Sequence, residues 1–310
     1  MRNHAIRKLT DIAEKEERIM LVCADLGYNV LNIFEEKFPE RYVNVGIAEQ
    51  NMTAVATGLA LEGNIVFTYS IGNFPTLRCM EQIRNDVCYH NANVKILSVG
   101  GGFAYGDLGM SHHATEDIAM MRALPAMRVY VPADPIEAAA CIEEVYEKEG
   151  PAFVRMAKGG EPFLHNSRAI ENISDLQPMA DAGSDINILA CGSVVSEGIR
   201  LKEMLDAHGY SVGVYSVPCI KPAAEEIIKN LARSCRLLVT MEEHTIIGGL
   251  GGMVAEVISE IHGIHAALFR VGLRDTYTGV VGSQVFLRDC YGLSAKSCYQ
   301  SILNRMEKLD

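Results

Sequence analysis

Arg41-Tyr42-Val43-Asn44-Val45-Gly46-Ile47-Ala48-Glu49-Gln50-Asn51-Met52 runs from a short apolar segment, through a glycine, into a helix-forming one. The pattern predicts a strand over 43–45, a turn at Gly46 and a helix whose first turn carries the Glu49 carboxylate. Ala48, Met52, Val55, Ala56 and Leu59 fall on one stripe of that helix, and Gly63 stands where a C′ glycine belongs. Taken alone, a glutamate in a first turn stabilises the helix macrodipole and needs no other role.

The same alternation extends in both directions. Upstream, Ile6, Leu9, Ile12 and Ala13 form a helical stripe, and residues 19–24 form a buried strand ending at Asp25-Leu26-Gly27. A helix over 30–37 stops before Pro39. Downstream, strands at 64–69, 94–99, 128–131 and 152–155 alternate with helices. One helix is expected over 75–90 and another from Thr115, whose hydroxyl can cap it. A third opens at Asp134-Pro135-Ile136-Glu137, with an Asp cap, Pro at N1 and Glu at N3. Periodicity fades over 161–184, read as a linker, and a second alternation fills 185–310. The fold class is therefore α/β, with two mostly parallel-sheet, three-layer domains over 1–160 and 185–310.

A chain of 310 residues with 49% apolar and 22% charged content buries a large core. A net charge of −11 argues against binding nucleic acid. The first residues lack a signal-peptide apolar stretch, and no apolar run reaches bilayer length. The nine cysteines are scattered, without a Cys-x-x-Cys pair or metal-ligand spacing. Buried thiols in a reducing cytoplasm, and no metal on this chain, are the expectations.

Gly248-Gly249-Leu250-Gly251-Gly252 resembles a dinucleotide fingerprint only loosely, and tight strand-to-helix turns explain it better. His112-His113 ends a glycine-rich loop, Gly100 to Gly109, that follows a strand. Adjacent histidines rarely ligate one metal, but one imidazole can serve as proton donor or hydroxyl ligand; packing or capping is the other reading. Glu49, Phe74, Arg155 and the His112 loop all lie at strand C-termini or the starts of the next helices. In a parallel sheet those points share one edge.

Gly46 to Met52, the Gly109-Met110-Ser111-His112-His113 loop, and Leu124 to Asp134 together resemble transketolase and 1-deoxyxylulose-5-phosphate synthase. They match the pyrimidine-binding domain of these thiamine diphosphate enzymes over roughly residues 5–160, and the second unit is similar to the family's C-terminal domain. The Gly-Asp-Gly segment with downstream Asn, which holds the diphosphate and a divalent metal, is missing. The resemblance thus implies the second half of a split transketolase. Thiamine diphosphate would lie between chains, with its Mg2+, Ca2+ or Mn2+ on an N-terminal partner subunit, in a heterotetramer with two copies of each chain.

By the same resemblance, Glu49 hydrogen-bonds N1′ of the aminopyrimidine, favouring the imino tautomer whose nitrogen takes the thiazolium C2 proton. Phe74 stacks on the pyrimidine, with Tyr69 as the alternative ring, and Asp25 lies near the cofactor at the subunit junction. His112, with His113 beside it, contacts the donor substrate, and Arg7 and Arg155 grip a sugar phosphate through forked donors. Two departures stand out. Leu108 replaces the aspartate of the family's Asp-Gly-Pro-Thr-His, and a phosphate-contacting histidine is replaced near Gly100. A modified, sulfonated or deoxy sugar phosphate suits these changes as well as a pentose phosphate does. The implied reaction transfers a two-carbon ketol unit from a phosphorylated or otherwise anionic ketose to an aldose. A beta subunit of a 2-oxoacid dehydrogenase and a non-catalytic interface subunit are the alternatives. His112-His113 and Arg7-Lys8-Leu9 favour transketolase, and retention of Glu49 speaks against lost catalysis.

Overall fold

The computed structural model describes residues 1–165 and 170–309. It opens with α1 (Arg2–Ala13), whose Ala5, Ile6, Leu9 and Ala13 turn inward as their spacing requires. β1 (Ile19–Cys23), α2 (Asn32–Lys37), β2 (Tyr42–Asn44), α3 (Glu49–Leu61) and β3 (Ile65–Ile71) follow. The helix expected from Pro75 starts late, as α4 (Met80–Gln82), continuing in π-helical form over Ile83–Cys88. The Thr76 hydroxyl donates to the Gly72 carbonyl and holds a loop instead. β4 (Val94–Val99), α5 (Asp117–Ala123), β5 (Arg128–Tyr130), α6 (Pro135–Glu147) and β6 (Ala152–Met156) complete the first unit. Asp134 caps α6 as its sequence predicts, accepting from Ile136 and Glu137 N–H groups. Thr115 does not cap α5; its hydroxyl donates to Glu116.

The second unit contains β7 (Gln177–Pro178), β8 (Ile186–Ala190), α7 (Val195–Ala207), β9 (Val212–Ser216) and β10 (Cys219–Lys221). It continues with α8 (Glu225–Ser234), β11 (Leu237–Thr245), α9 (Leu250–Ser259), β12 (Ala267–Leu273), α10 (Gln284–Cys290) and α11 (Ala295–Met306). The second sheet has the order β12-β11-β8-β9-β7 and the first β10-β5-β6-β4-β3-β1-β2. Pairs are parallel except β10–β5 and β7–β9. The linker therefore ends in an edge strand, and β10 crosses from the second unit to extend the first sheet.

One apolar cluster spans both units, joining Met52, Ile83 and Ile118 to Leu231, Leu238 and Met253. A second lies under α1 and α6 on the other face of the first sheet, and a third under α7 and α11. The units share a core, which fixes the second against the first. All nine cysteines are free, and seven are buried. Among the described residues no helix is long and apolar enough to cross a membrane.

Candidate active site

In the first sheet β1 lies between β2 and β3, so the chain reverses direction of travel there. Parallel sheets open a crevice at such a point, beyond the strands' C-terminal ends. The loops after β1, β2, β3, β4 and β6 all reach this edge.

After β2, Gly46 adopts φ +73°, a left-handed conformation that glycine takes without strain. The Asn44 side chain accepts from the Asp25 and Gly46 N–H groups, each at 3.0 Å, lacing the loop after β1 to this turn. Asp25 itself is exposed. Glu49 then enters the first turn of α3 only 2% exposed, and its Oε2 accepts from Arg78 Nη1 at 2.6 Å.

From Glu49 a continuous line of contacts crosses the edge. The Arg78 guanidinium lies over the Phe74 ring, 4.7 Å from its centroid. Phe74 meets His112 edge-on at 5.2 Å, and His112 faces Tyr105 at 6.2 Å. Lys158 Nζ stands 5.3 Å from the Tyr105 ring centre. Arg2 lies beside the Tyr69 and Tyr105 hydroxyls, where its charge partly offsets the upward push of burial on both phenols. A side chain at Gly100 would collide with the Tyr105 ring, so the glycine there makes room for that tyrosine.

The loop carrying His112 is pinned at its base. Gly102 and Ala114 pair as an isolated antiparallel bridge. A Cβ at Gly101 would fall 2.6 Å from Arg155 Nε, so these glycines serve close packing, not a phosphate. Burial, then the neighbouring His113, lower the His112 pKa, and its Nδ1 lies 3.0 Å from the Ser111 hydroxyl. Both effects favour the uncharged ring, which can accept as well as donate a hydrogen bond.

Several expected site residues stand elsewhere. Arg155 is 5% exposed. Its guanidinium donates to Asp117 Oδ2 at 2.8 Å, to the Ala114 carbonyl at 2.6 Å and to the Glu243 carbonyl at 3.0 Å. Burial disfavours its charge, but Asp117 and Glu243 outweigh burial and raise its pKa. A cation so committed braces the base of the loop. Arg7 points outward from α1 and is exposed, because the buried stripe of that helix lies on its other side. His113 is buried, with Nδ1 2.6 Å from the Thr278 hydroxyl and Nε2 3.1 Å from the Gly106 carbonyl, so both nitrogens are spent on structure. Tyr69 lies within β3 at 2% exposure, leaving Phe74 as the ring at the surface of the edge.

Arg2, Lys158 and Arg78 also stand on this edge, and the sequence pattern does not single them out. A signal existed for Lys158: it follows the end of β6, whereas Arg155 lies inside that strand. The glycines of Gly248 to Gly252 also find their reason. The buried Glu242 carboxyl group accepts from the Leu250 and Gly251 N–H groups at 2.7 and 2.8 Å, filling the start of α9 from within the chain. A concavity of about 550 Å3 between α5, α8 and α9 is lined by Arg122, Met253 and Glu256 among others and includes no residue of the line from Glu49 to Arg2. The chemistry-bearing residues lie on an open edge instead.

Residues 1–160 match the family model described as transketolase, pyrimidine binding domain, and residues 178–298 that described as transketolase, C-terminal domain. A putative transketolase C-terminal section from Methanocaldococcus jannaschii is 39% identical over 303 residues, covering 97% of this chain and 94% of that protein. A 6-deoxy-6-sulfo-D-fructose transketolase subunit from a Clostridium species is 33% identical over 298 residues, covering 96% and 91%. A solved structure described as a split gene transketolase, an inactive beta4 tetramer, superimposes with a TM-score of 0.87 at 34% identity, covering 99% of this chain and 97% of that one.

Proposed function

The chain belongs to the transketolase family, and on that premise we propose that it is the C-terminal subunit of a split transketolase. It transfers a two-carbon ketol unit from an anionic ketose to an aldose, and works only when joined to a partner chain. The observation that carries this reading is the line from Glu49 through Arg78, Phe74, His112 and Tyr105 to Lys158 and Arg2. It sets a buried carboxylate, a flat ring, an imidazole and two cations along one edge.

The donor set fits thiamine diphosphate. A planar group with an N–H edge is accommodated between Glu49 and Phe74, because the Arg78 guanidinium makes both contacts. Glu49 and Phe74 would hold the aminopyrimidine, while the diphosphate and its divalent metal would rest on the partner subunit, in an assembly of two copies of each chain. When bound, the cofactor supplies the nucleophilic carbon that cleaves and re-forms the ketol carbon–carbon bond. Glu49 holds a proton at its carboxylate against the ring nitrogen, in a site dry enough for that hydrogen bond to count. His112 bonds a substrate hydroxyl. Arg2 and Lys158 bind the anionic end, Arg2 through a fork and Lys158 as a point charge.

Leu108 is 56% exposed in the turn before His112 and brings no carboxylate to a substrate hydroxyl. With Tyr105 packed over Gly100, the edge suits a phosphorylated or sulfonated sugar whose recognition rests on its anion. The sulfofructose relative acts on such an anion by its description. The test is co-expression with a neighbouring chain carrying Gly-Asp-Gly, then assay of ketol transfer from fructose 6-phosphate, xylulose 5-phosphate and 6-deoxy-6-sulfofructose with thiamine diphosphate and Mg2+. Transfer by the pair and none by either chain alone is expected. Turnover by this chain alone, or none by an assembled pair with any of the three donors, would refute the proposal.

A further inference from the structure

Arg78 takes none of the roles above, yet it touches both groups that define the cofactor pocket. We propose that Arg78 is an exchangeable counter-ion of Glu49: its guanidinium holds the carboxylate and covers Phe74 until the aminopyrimidine takes over both contacts. The inference rests on the thiamine reading above.

The geometry makes the two groups mutually exclusive. Arg78 Nη1 lies 2.6 Å from Glu49 Oε2, and Arg78 Cζ lies 4.7 Å from the Phe74 centroid. Guanidinium and aminopyrimidine are both flat and both present N–H donors at an edge. Each requires the same carboxylate and the same ring face, and two heavy-atom planes cannot share one face at contact distance.

Burial explains why a counter-ion is kept there. Glu49 is 2% exposed, and an ionised carboxylate left buried without a partner is costly. The guanidinium keeps it paired and aimed into the crevice in the free chain. Arg78 can leave without disturbing the core. Its side chain is 47% exposed, and it stands on a short helical turn, Leu77–Cys79, that buried Cys79 and Thr76 hold in place. Pre-forming the carboxylate has a consequence for affinity. The apparent dissociation constant is the intrinsic one divided by the fraction of molecules in which Arg78 has already moved aside, so it rises as that fraction falls.

The test compares wild type, Arg78→Ala and Arg78→Lys, each assembled with the Gly-Asp-Gly partner chain. Thiamine diphosphate with Mg2+ is titrated calorimetrically, and thermal unfolding of this chain alone is recorded in parallel. Arg78→Ala is expected to bind the cofactor about five- to tenfold tighter, on the scale of releasing one partly exposed charged hydrogen bond. Its own chain melts at a lower temperature, and Arg78→Lys falls between. If Arg78→Ala does not fold, Arg78→Met keeps an apolar arm against Phe74 and carries the same comparison. A merely structural arginine would lower the melting temperature without tightening the cofactor. Equal affinity overturns the proposal, since no competition exists, and weaker affinity overturns it by making Arg78 a direct cofactor contact. If the wild-type pair folds and associates but takes up no thiamine diphosphate, the thiamine reading itself fails, and this inference with it.

Discussion

Arg155→Ala separates a brace from a substrate contact. The guanidinium satisfies one buried carboxylate and two buried carbonyls, and it crosses from the first unit to the Glu243 backbone in the second. Asp117 is fully buried and its Oδ1 has no hydrogen-bond partner, so losing Arg155 would leave that carboxylate without its main counter-charge. Removing one member of a buried pair costs about 3–5 kcal/mol. At roughly 2–4 °C per kcal/mol for chains of this order of size, the melting temperature should fall by about 6–20 °C. The assay is thermal unfolding of this chain alone by circular dichroism, with KM for a phosphorylated donor measured on the assembled pair. Arg155→Lys should recover part of the loss, because an ammonium can reach Asp117 but cannot also span both carbonyls. A melting temperature within about 2 °C of wild type, together with a tenfold rise in KM, would refute the brace and restore Arg155 as a substrate contact.

Glu49→Gln keeps the shape and the contact to Arg78 but cannot hold the proton; kcat should fall by about 10²–10⁴-fold with folding and assembly intact, and retained turnover would remove the proton-holding role. Arg2→Ala and Lys158→Ala should each raise KM for phosphorylated or sulfonated donors by about tenfold or more while sparing uncharged sugars, and an unchanged KM would place the anion elsewhere. His165 gives a pH signature: burial opposes its charge, but the hydrogen bond to Asp134 and the Glu137 charge outweigh it and leave the imidazole more basic than usual. A histidine whose pKa is raised on folding contributes its stability below its unfolded value, near about 6.5, and loses it as pH rises through the folded value. His165→Ala should therefore cost on the order of 1 kcal/mol at pH 6 and clearly less at pH 8.5, and an equal loss at both would show that the imidazole does not titrate against these carboxylates.

Element types and their order were legible because short apolar strands alternate with amphipathic helices, a local signal. β10 was not, since a three-residue antiparallel strand takes its identity from its neighbour β5 and not from its own residues. Within the site, Glu49, Phe74 and His112 could be placed on the edge from sequence because each follows closely on a strand end or glycine turn, where topology alone puts a residue there. The cations were harder. Arg7 and Arg2 share one helix, and only the direction of the buried stripe decides which faces the crevice. Arg155 and Lys158 are three residues apart, and only the structure shows that one is buried inside β6 while the other follows its end. Pairs such as Arg78 with Glu49, 29 residues apart in sequence, leave no local periodicity at all.

The second unit contributes no residue to the line from Glu49 to Arg2, yet it sets where His112 stands. Thr278 meets the buried His113 imidazole, and the Glu243 carboxylate accepts from the Phe103 N–H. Arg288 and Gln284 in turn fix that carboxylate. Phe103, His113 and Tyr291 pack ring against ring across the boundary between the units. The loop tip bearing His112 and Tyr105 is therefore clamped from above by the second unit and from below by Arg155. A side chain can hold a substrate hydroxyl only if its own supports are fixed, and here those supports are drawn from both halves of the chain. The shared core and the strand β10 that crosses between sheets keep the two halves from shifting, so the C-terminal unit acts on the edge by holding it still.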